Sequence, residues 1–492
     1  MDFLKLIVSP KKDAVDEIIN ALKELYSIKV IPVEAAATIS DFFKELIDQL
    51  AVCIEYPYVD KVYRDSYYNY FASKHREYSR DSIRVSFFNR PVEPKHFRSK
   101  EYKDYLQKAF MGYFVLRPTL PRVIGRTLIN KEVLRKHDFV VCQSPGSVLI
   151  NGVKLTAHGF PFSSQDTESI TCAETSVWAI MEYFGNRYPE YRPTLPSNVL
   201  SVLNRNSNQR MLPSSGLTVE QISFALKEFG FGTYIYSREE FKLDFDNIIA
   251  TYVESGIPIV ATLHNKKVGH AILIVGHEND GHVKTIYKRK LKIKRKEVSY
   301  TDYGDIKKKY VVQDDNLTPY KLIGLRNPAE HYAGWNDDFK GCTIDSVVVP
   351  LYSKIYLEAE VAKRLALNII SDPEYGWTPP SNFIFRFFLT SSRSFKNHLA
   401  NIAGIDEELQ NILMLVKMPK FIWCGEIYTK SGFPLNQVRG IIVLDATEAS
   451  ENEEDALIFA CYPDRCIVKF GKNIVTLDYK MNLYTRFKNN LL

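Results

Sequence analysis

The sequence predicts an α+β protein: a central domain in which one helix packs on an antiparallel sheet, with α/β modules on either side. Three observations carry this. A polar segment leads into Cys172, after which Val177, Ile180, Met181 and Phe184 recur at spacings of three and four, the stripe of a helix with a buried face. Short apolar segments bounded by charged or turn-forming residues then crowd the stretch between Gly232 and Leu351, as strands do. No repeat of fixed period runs through the 492 residues, which counts against solenoids and propellers.

Composition sets the outer limits. With 45% hydrophobic and 25% charged residues, the chain is neither disordered nor collagen-like, and its length suits about three domains. A formal charge of +6 over this length does not by itself imply a nucleic-acid partner. The start, MDFLKLIVSPKKDAVDEI, lacks the features of a secretion signal, and no apolar run is long enough to span a membrane. A cytoplasmic protein with no membrane partner is expected. Of the seven cysteines only Cys461 and Cys466 lie close together, without the Cys or His neighbours that zinc needs. Reduced thiols are therefore expected, with no metal and no cofactor.

Taken in order, residues 1–140 read as an α/β module of unknown role. Its elements are a strand at LKLIV, a helix over Asp13–Tyr26, a strand at Lys29–Pro32, a helix over Thr38–Leu50, and strands at Ser82–Phe88 and Met111–Arg117. Residues 141–351 hold the chemistry. Helices are expected from Cys172 and over Thr218–Phe229, with Gly185-Asn186 stopping the first. Strands are expected at Gly232–Tyr236, Ile257–His264, His270–His277, Val283–Ile293, Lys309–Gln313 and Ser346–Leu351. Residues 352–492 read as an α+β module of unknown role, with a helix over Ile355–Ile370 and a further helical stretch. Strands follow at Lys420–Thr429, Val438–Leu444, Ala456–Tyr462 and Arg465–Phe470. The aromatic clusters Tyr56–Phe71 and Lys420–Tyr428 read as core packing.

Cys172 stands in the first turn of its helix, where unpaired backbone N–H groups and the helix dipole suit a thiolate, the form that attacks an acyl carbon. Alone, a cysteine there is ordinarily a small buried hydrophobe. What changes its meaning is Gly269-His270 at the mouth of the apolar strand AILIVG, from which an imidazole can take the thiol proton and later return it to a leaving amine. His277 and His282 are expected in a loop beyond that strand, and His158 and His264 as structural residues. The strand ending KKKYVVQDDN supplies a carboxylate to orient the ring: Asp314, with Asp315 as the alternative acid. Seven residues before the cysteine, Gln165 offers an uncharged amide donor for a developing oxyanion.

Gln165, then Cys172 opening a helix, then Gly269-His270 opening an apolar strand, then a strand-terminal Asp314: this order resembles the papain-like cysteine peptidases, in particular the C39-like branch. The helical segment LPSSGLTVEQISFALKEFGFG is similar to that branch as well. The resemblance covers Gly159 to Leu351. It implies a papain-like fold and acyl transfer to water, with Cys172 as nucleophile, His270 as base, Asp314 as orienting acid and Gln165 in the oxyanion hole. The chain reads Cys172-Ala173-Glu174 where that branch has Cys-Gly-Pro, and Asp314 is followed by Asp315 where it has Pro.

The expected activity is hydrolysis of a peptide or amide bond in a protein or peptide substrate. The alternatives are transglutaminase- or acyltransferase-type transfer at the same site, and an inactive papain-like binding module. Between the His and Asp strands, Lys288, Arg289, Lys290, Lys292, Lys294, Arg295 and Lys296 cluster around Leu291 and Ile293. Such a run reads first as a solvated face and second as a hairpin for an acidic partner. It has no aromatic interleaving of the kind that binds nucleic acid.

Overall fold

A computed structural model describes residues 3–205, 212, 216–279, 288–293, 296–334, 336–372, 374–375, 379–402, 405–449, 453–479, 481, 484–488 and 491. The structure is mixed α+β, and its sheets are built mainly from antiparallel pairs. Its residues group into two compact units. One comprises Met1–Gly230, Val260–His277 and Tyr310–Val348; the other comprises Phe231–Ile259, Glu278–Lys309 and Val349–Leu492. Both units draw on separated stretches of sequence, whereas the segments expected above are contiguous.

In the first unit, Lys5–Pro10, Ala51–Tyr58, Ser82–Phe88, Phe110–Leu116 and Ile124–Ile129 form a five-stranded antiparallel sheet in chain order. Neighbouring residues face opposite sides of a strand, and Phe87 and Phe88 show it. Phe87 packs edge-on against Phe42 and Phe43 of the helix Val33–Glu45. Phe88 meets Phe97 and Phe110 on the other side, in a cluster that also holds Val148 and Leu155 of the hairpin Ser144–Ile150 and Val153–Gly159. With both faces covered, every residue of Ser82–Phe88 is buried.

Lys29–Pro32, expected as a strand, is instead the connection between two helices. The partner of Lys5–Pro10 is Ala51–Tyr58, whose tyrosines and proline had read only as an aromatic cluster. The helix expected over Thr38–Leu50 runs from Val33 to Glu45, ending where Leu46 turns extended and bridges to Leu134.

The second sheet of this unit places Lys321–Ile323, Tyr310–Gln313, Gly269–Glu278, Ile259–His264 and Thr343–Tyr352 side by side, and Phe139–Val141 also pairs with Gly269–Glu278. Gly276 is needed for that last pairing, because a Cβ there would lie 2.0 Å from the carbonyl oxygen of Val140. His277 is therefore not in a loop: it is a buried strand residue opposite Tyr310. His282 lies outside the described residues.

The helix Cys172–Arg187 is buried on all sides from Ala173 to Phe184, more than a single stripe, as an internal helix is. It also runs through Gly185, which does not stop it. A Cβ at that position would meet the backbone nitrogen of Pro193 at 2.2 Å, so the glycine admits a crossing chain.

In the second unit, strands Arg289–Ile293, Lys296–Asp302, Phe383–Ser391, Phe421–Tyr428, Gln437–Asp445, Leu457–Cys461, Cys466–Phe470 and Asn473–Leu477 follow one another across one sheet. The pair Lys296–Asp302 and Phe383–Ser391 is parallel. Phe383–Ser391 and the helix Phe245–Glu254 were not anticipated. The basic run does form a hairpin, with Leu291 opposite Val298, yet Arg289 is held by Asp305 at 2.7 Å and Asp244 at 2.8 Å, and Lys290 by Glu297 at 2.8 Å. Lys294 and Arg295 lie outside the described residues. Among the described residues, no helix is long and apolar enough to cross a membrane.

Candidate active site

The loop that leads into the Cys172 helix is fixed from within. Asp166 accepts the backbone N–H groups of Glu168, Ser169 and Ile170 at 2.9, 2.7 and 3.0 Å. A reciprocal capping box then opens the helix: the Thr171 side chain accepts from the backbone of Glu174, and the buried Glu174 carboxylate accepts from the backbone N–H and hydroxyl of Thr171. Glu174, which departs from the pattern of the resemblance, thus serves the helix start.

His270 is the second residue of the strand Gly269–Glu278. That glycine is exposed and a Cβ on it would meet nothing, so it is not what sets the histidine. Register sets it instead. Leu273 lies opposite Gln313, which brings Asp314 to the mouth of the same strand. Nε2 of His270 lies 2.9 Å from Oδ1 of Asp314. The Cys172 sulfur accepts the backbone N–H of Ala271, the residue after His270, at 3.4 Å, which sets the thiol beside the imidazole. With Nε2 committed to the carboxylate, Nδ1 is the nitrogen left for the thiol.

Asp314 has no exposed surface and is saturated with donors. Oδ1 also takes the backbone N–H of Asn316 at 3.1 Å, while Oδ2 takes the Tyr332 hydroxyl at 2.6 Å and Nε2 of His331 at 3.2 Å. Burial works against its ionisation, but His270 and these hydrogen bonds prevail and hold its carboxyl far below the usual range. The histidine answers in kind. Burial opposes its charge, yet Asp314 and the thiol contact push its pKa well above that of a free imidazole.

Asp315 differs sharply from its neighbour. It is buried, neither carboxylate oxygen has a hydrogen-bond partner, and the nearer one lies 3.8 Å from Nε2 of His270. Burial pushes its carboxyl up to about 7. Ligand atoms of His270, Asp314 and Asp315 lie within 4.8 Å of one another, the spacing of a possible cation site.

Gln165 is half-buried and reaches the cluster through Asn316: its Nε2 donates to Oδ1 of Asn316 at 2.7 Å. Asn316 Nδ2 in turn lies 3.4 Å from Nε2 of His270 and 3.2 Å from the Tyr332 hydroxyl. All four residues expected from the sequence, Gln165, Cys172, His270 and Asp314, thus belong to one connected network in the first unit.

No family model matches this sequence, and no curated protein does. The likeness to papain-like peptidases rests on these residues alone.

Four members of the network were not anticipated: Asn316, His331, Tyr332 and Phe339. Tyr332 and Phe339 stack at 3.7 Å with planes 4° apart, and His270 meets Phe339 edge-on at 5.6 Å, which fixes the imidazole plane. Asn316 follows the Asp pair directly and was open to inspection as a third polar group at that strand end. The other three sit in short 3₁₀ turns, too short for a periodicity that points to them.

Proposed function

We propose that this protein is a cysteine hydrolase of papain-like character that cleaves a peptide or amide bond. The observation that carries the reading is the His270 imidazole held by the buried Asp314 carboxylate at 2.9 Å, with the Cys172 sulfur bound to the backbone N–H of the next residue, Ala271. Nδ1 of His270 takes the thiol proton as sulfur attacks the carbonyl carbon, and Asp314 steadies the imidazolium that forms. The imidazolium then protonates the leaving amine, and water, activated by the same ring, releases the acid from the thioester. The Cys172 backbone N–H and the second amide hydrogen of Gln165 are the donors assigned to the oxyanion. The aromatic wall of Tyr332 and Phe339 keeps the ring from rotating.

The test has two arms. Iodoacetamide should alkylate Cys172 faster than the other six thiols, all of which are buried. Cleavage of a diverse peptide library, read by mass spectrometry, should fall by at least about 10³-fold in Cys172→Ala while the fold is retained. Undiminished cleavage in that variant would overturn the reading. Addition of a primary amine separates transfer from hydrolysis through the mass of the product.

A further inference from the structure

The helix that carries Cys172 also lines a cavity of about 630 Å³, which contains none of the residues assigned to hydrolysis. Trp178, Glu182 and Asn186, one turn apart on that helix, form one wall; Lys61, Arg84 and Arg126 face the same space.

Each of the three cations has a carboxylate beside it. Arg84 donates to Glu55 at 2.8 Å and to the Leu149 carbonyl at 2.5 Å, and Lys61 lies 3.2 Å from Glu182. Arg126 is held more loosely. Its Nη2 donates to the Tyr113 hydroxyl at 2.5 Å, but its buried Nε makes no hydrogen bond, only an ion pair with Oδ1 of Asp60 at 3.7 Å, an oxygen that also lacks a hydrogen bond and does not line the cavity. The indole N–H of Trp178, a residue 1% exposed, is a second buried donor without a partner. Among the described lining residues, no acceptor is left in this condition.

Unmade buried donors are costly, and donors alone call for a ligand rich in acceptors. A guanidinium presents a planar fork that suits carboxylate and phosphate oxygens. The volume is that of a metabolite rather than of a bare inorganic ion. Lys61, exposed, offsets the Glu182 carboxylate at the rim.

We propose that this cavity binds a small organic oxyanion, a carboxylate or phosphate ester of metabolite size, whose oxygens accept from Nε of Arg126 and Nε1 of Trp178. The proposal does not depend on the hydrolase reading.

Isothermal titration of the full chain with citrate, adenosine 5′-monophosphate and inorganic phosphate tests it. At least one organic anion should bind with a Kd below about 1 mM and more tightly than inorganic phosphate. Citrate ahead of the nucleotide indicates a carboxylate ligand, and the reverse order a phosphate ester. Arg126→Met and Trp178→Phe should each weaken binding by at least about tenfold, and Cys172→Ala should leave it unchanged. Should Arg126→Met fail to fold, Trp178→Phe, which keeps most of the ring volume, and the exposed Lys61→Met decide the matter. Failure of all three probes to bind, or equal binding by the variants, would overturn the proposal.

Discussion

Oδ1 of the wholly buried Asp314 lies 2.9 Å from Nε2 of His270, so the carboxylate chooses which nitrogen of the imidazole faces Cys172. Replacing Asp314 by Asn removes that choice. Tyr332 and His331 compete for the one remaining carbonyl oxygen. The amide NH2 then turns toward Nε2 and drives the ring proton to Nδ1, where it opposes the thiol. Asp314→Asn should lower kcat/KM by roughly 10²–10⁴-fold with circular dichroism unchanged. A fall of less than threefold would remove Asp314 from the mechanism.

Asp315 makes a pH prediction. Its carboxyl, pushed up to about 7 by burial, keeps in the folded protein a proton that the unfolded chain loses near pH 4. Between these values the folded state binds the more protons, so this residue's contribution to stability is full below about pH 4 and declines as pH rises to about 7. Asparagine has no proton to lose. The Tm of Asp315→Asn relative to wild type should therefore rise by about 2–4 °C or more between pH 5 and pH 8. A difference independent of pH would show that Asp315 has a partner or is ionised throughout.

Those two aspartates also show how far the sequence could be read. A strand-terminal Asp-Asp pair was visible, as was the rule that neighbours on a strand face opposite ways, yet both lie near His270 because the chain leaves regular strand geometry after Gln313. The cysteine helix, the histidine strand and the late strands were legible because their apolar residues keep a period. Ala51–Tyr58 and Phe383–Ser391 were not, since strands covered on both faces lose the alternation that marks a half-buried one. The supporting shell of His331, Tyr332 and Phe339 comes from short 3₁₀ turns, whose residues meet the site only through tertiary packing. The interleaving of the two compact units is a matter of contacts far apart in sequence, and composition does not encode it.

Phe383–Ser391 carries a buried charge. Arg386 is 1% exposed, donates to Glu254 at 2.7 Å and to Glu426 at 2.6 Å, and lies over the Phe388 ring at 4.2 Å. Arg386→Met leaves Glu426 without this cation and Glu254 with Arg486 at 3.9 Å, and about 3–5 kcal/mol of stability should be lost. A triple variant that also carries Glu254→Gln and Glu426→Gln should recover part of it. Urea unfolding measures both, and an Arg386→Met midpoint equal to wild type would mean that the network is not a stabilising one.

Asn316 is the hinge of the remaining prediction. It holds the Gln165 amide at 2.7 Å and touches both the imidazole and the Tyr332 hydroxyl, so in the proposed mechanism it positions the oxyanion donor. Gln165→Ala removes a donor that acts only as charge develops on oxygen, and should cost roughly 10–10³-fold in kcat with little change in KM. Asn316→Ala keeps that donor but releases its anchor, so its loss in kcat should be smaller, and adding it to Gln165→Ala should cost little more, because the residue it positions is already gone. If the two losses instead multiply in the double variant, Asn316 acts on His270 rather than through Gln165, and the Gln165 amide is then not the oxyanion donor that Asn316 serves.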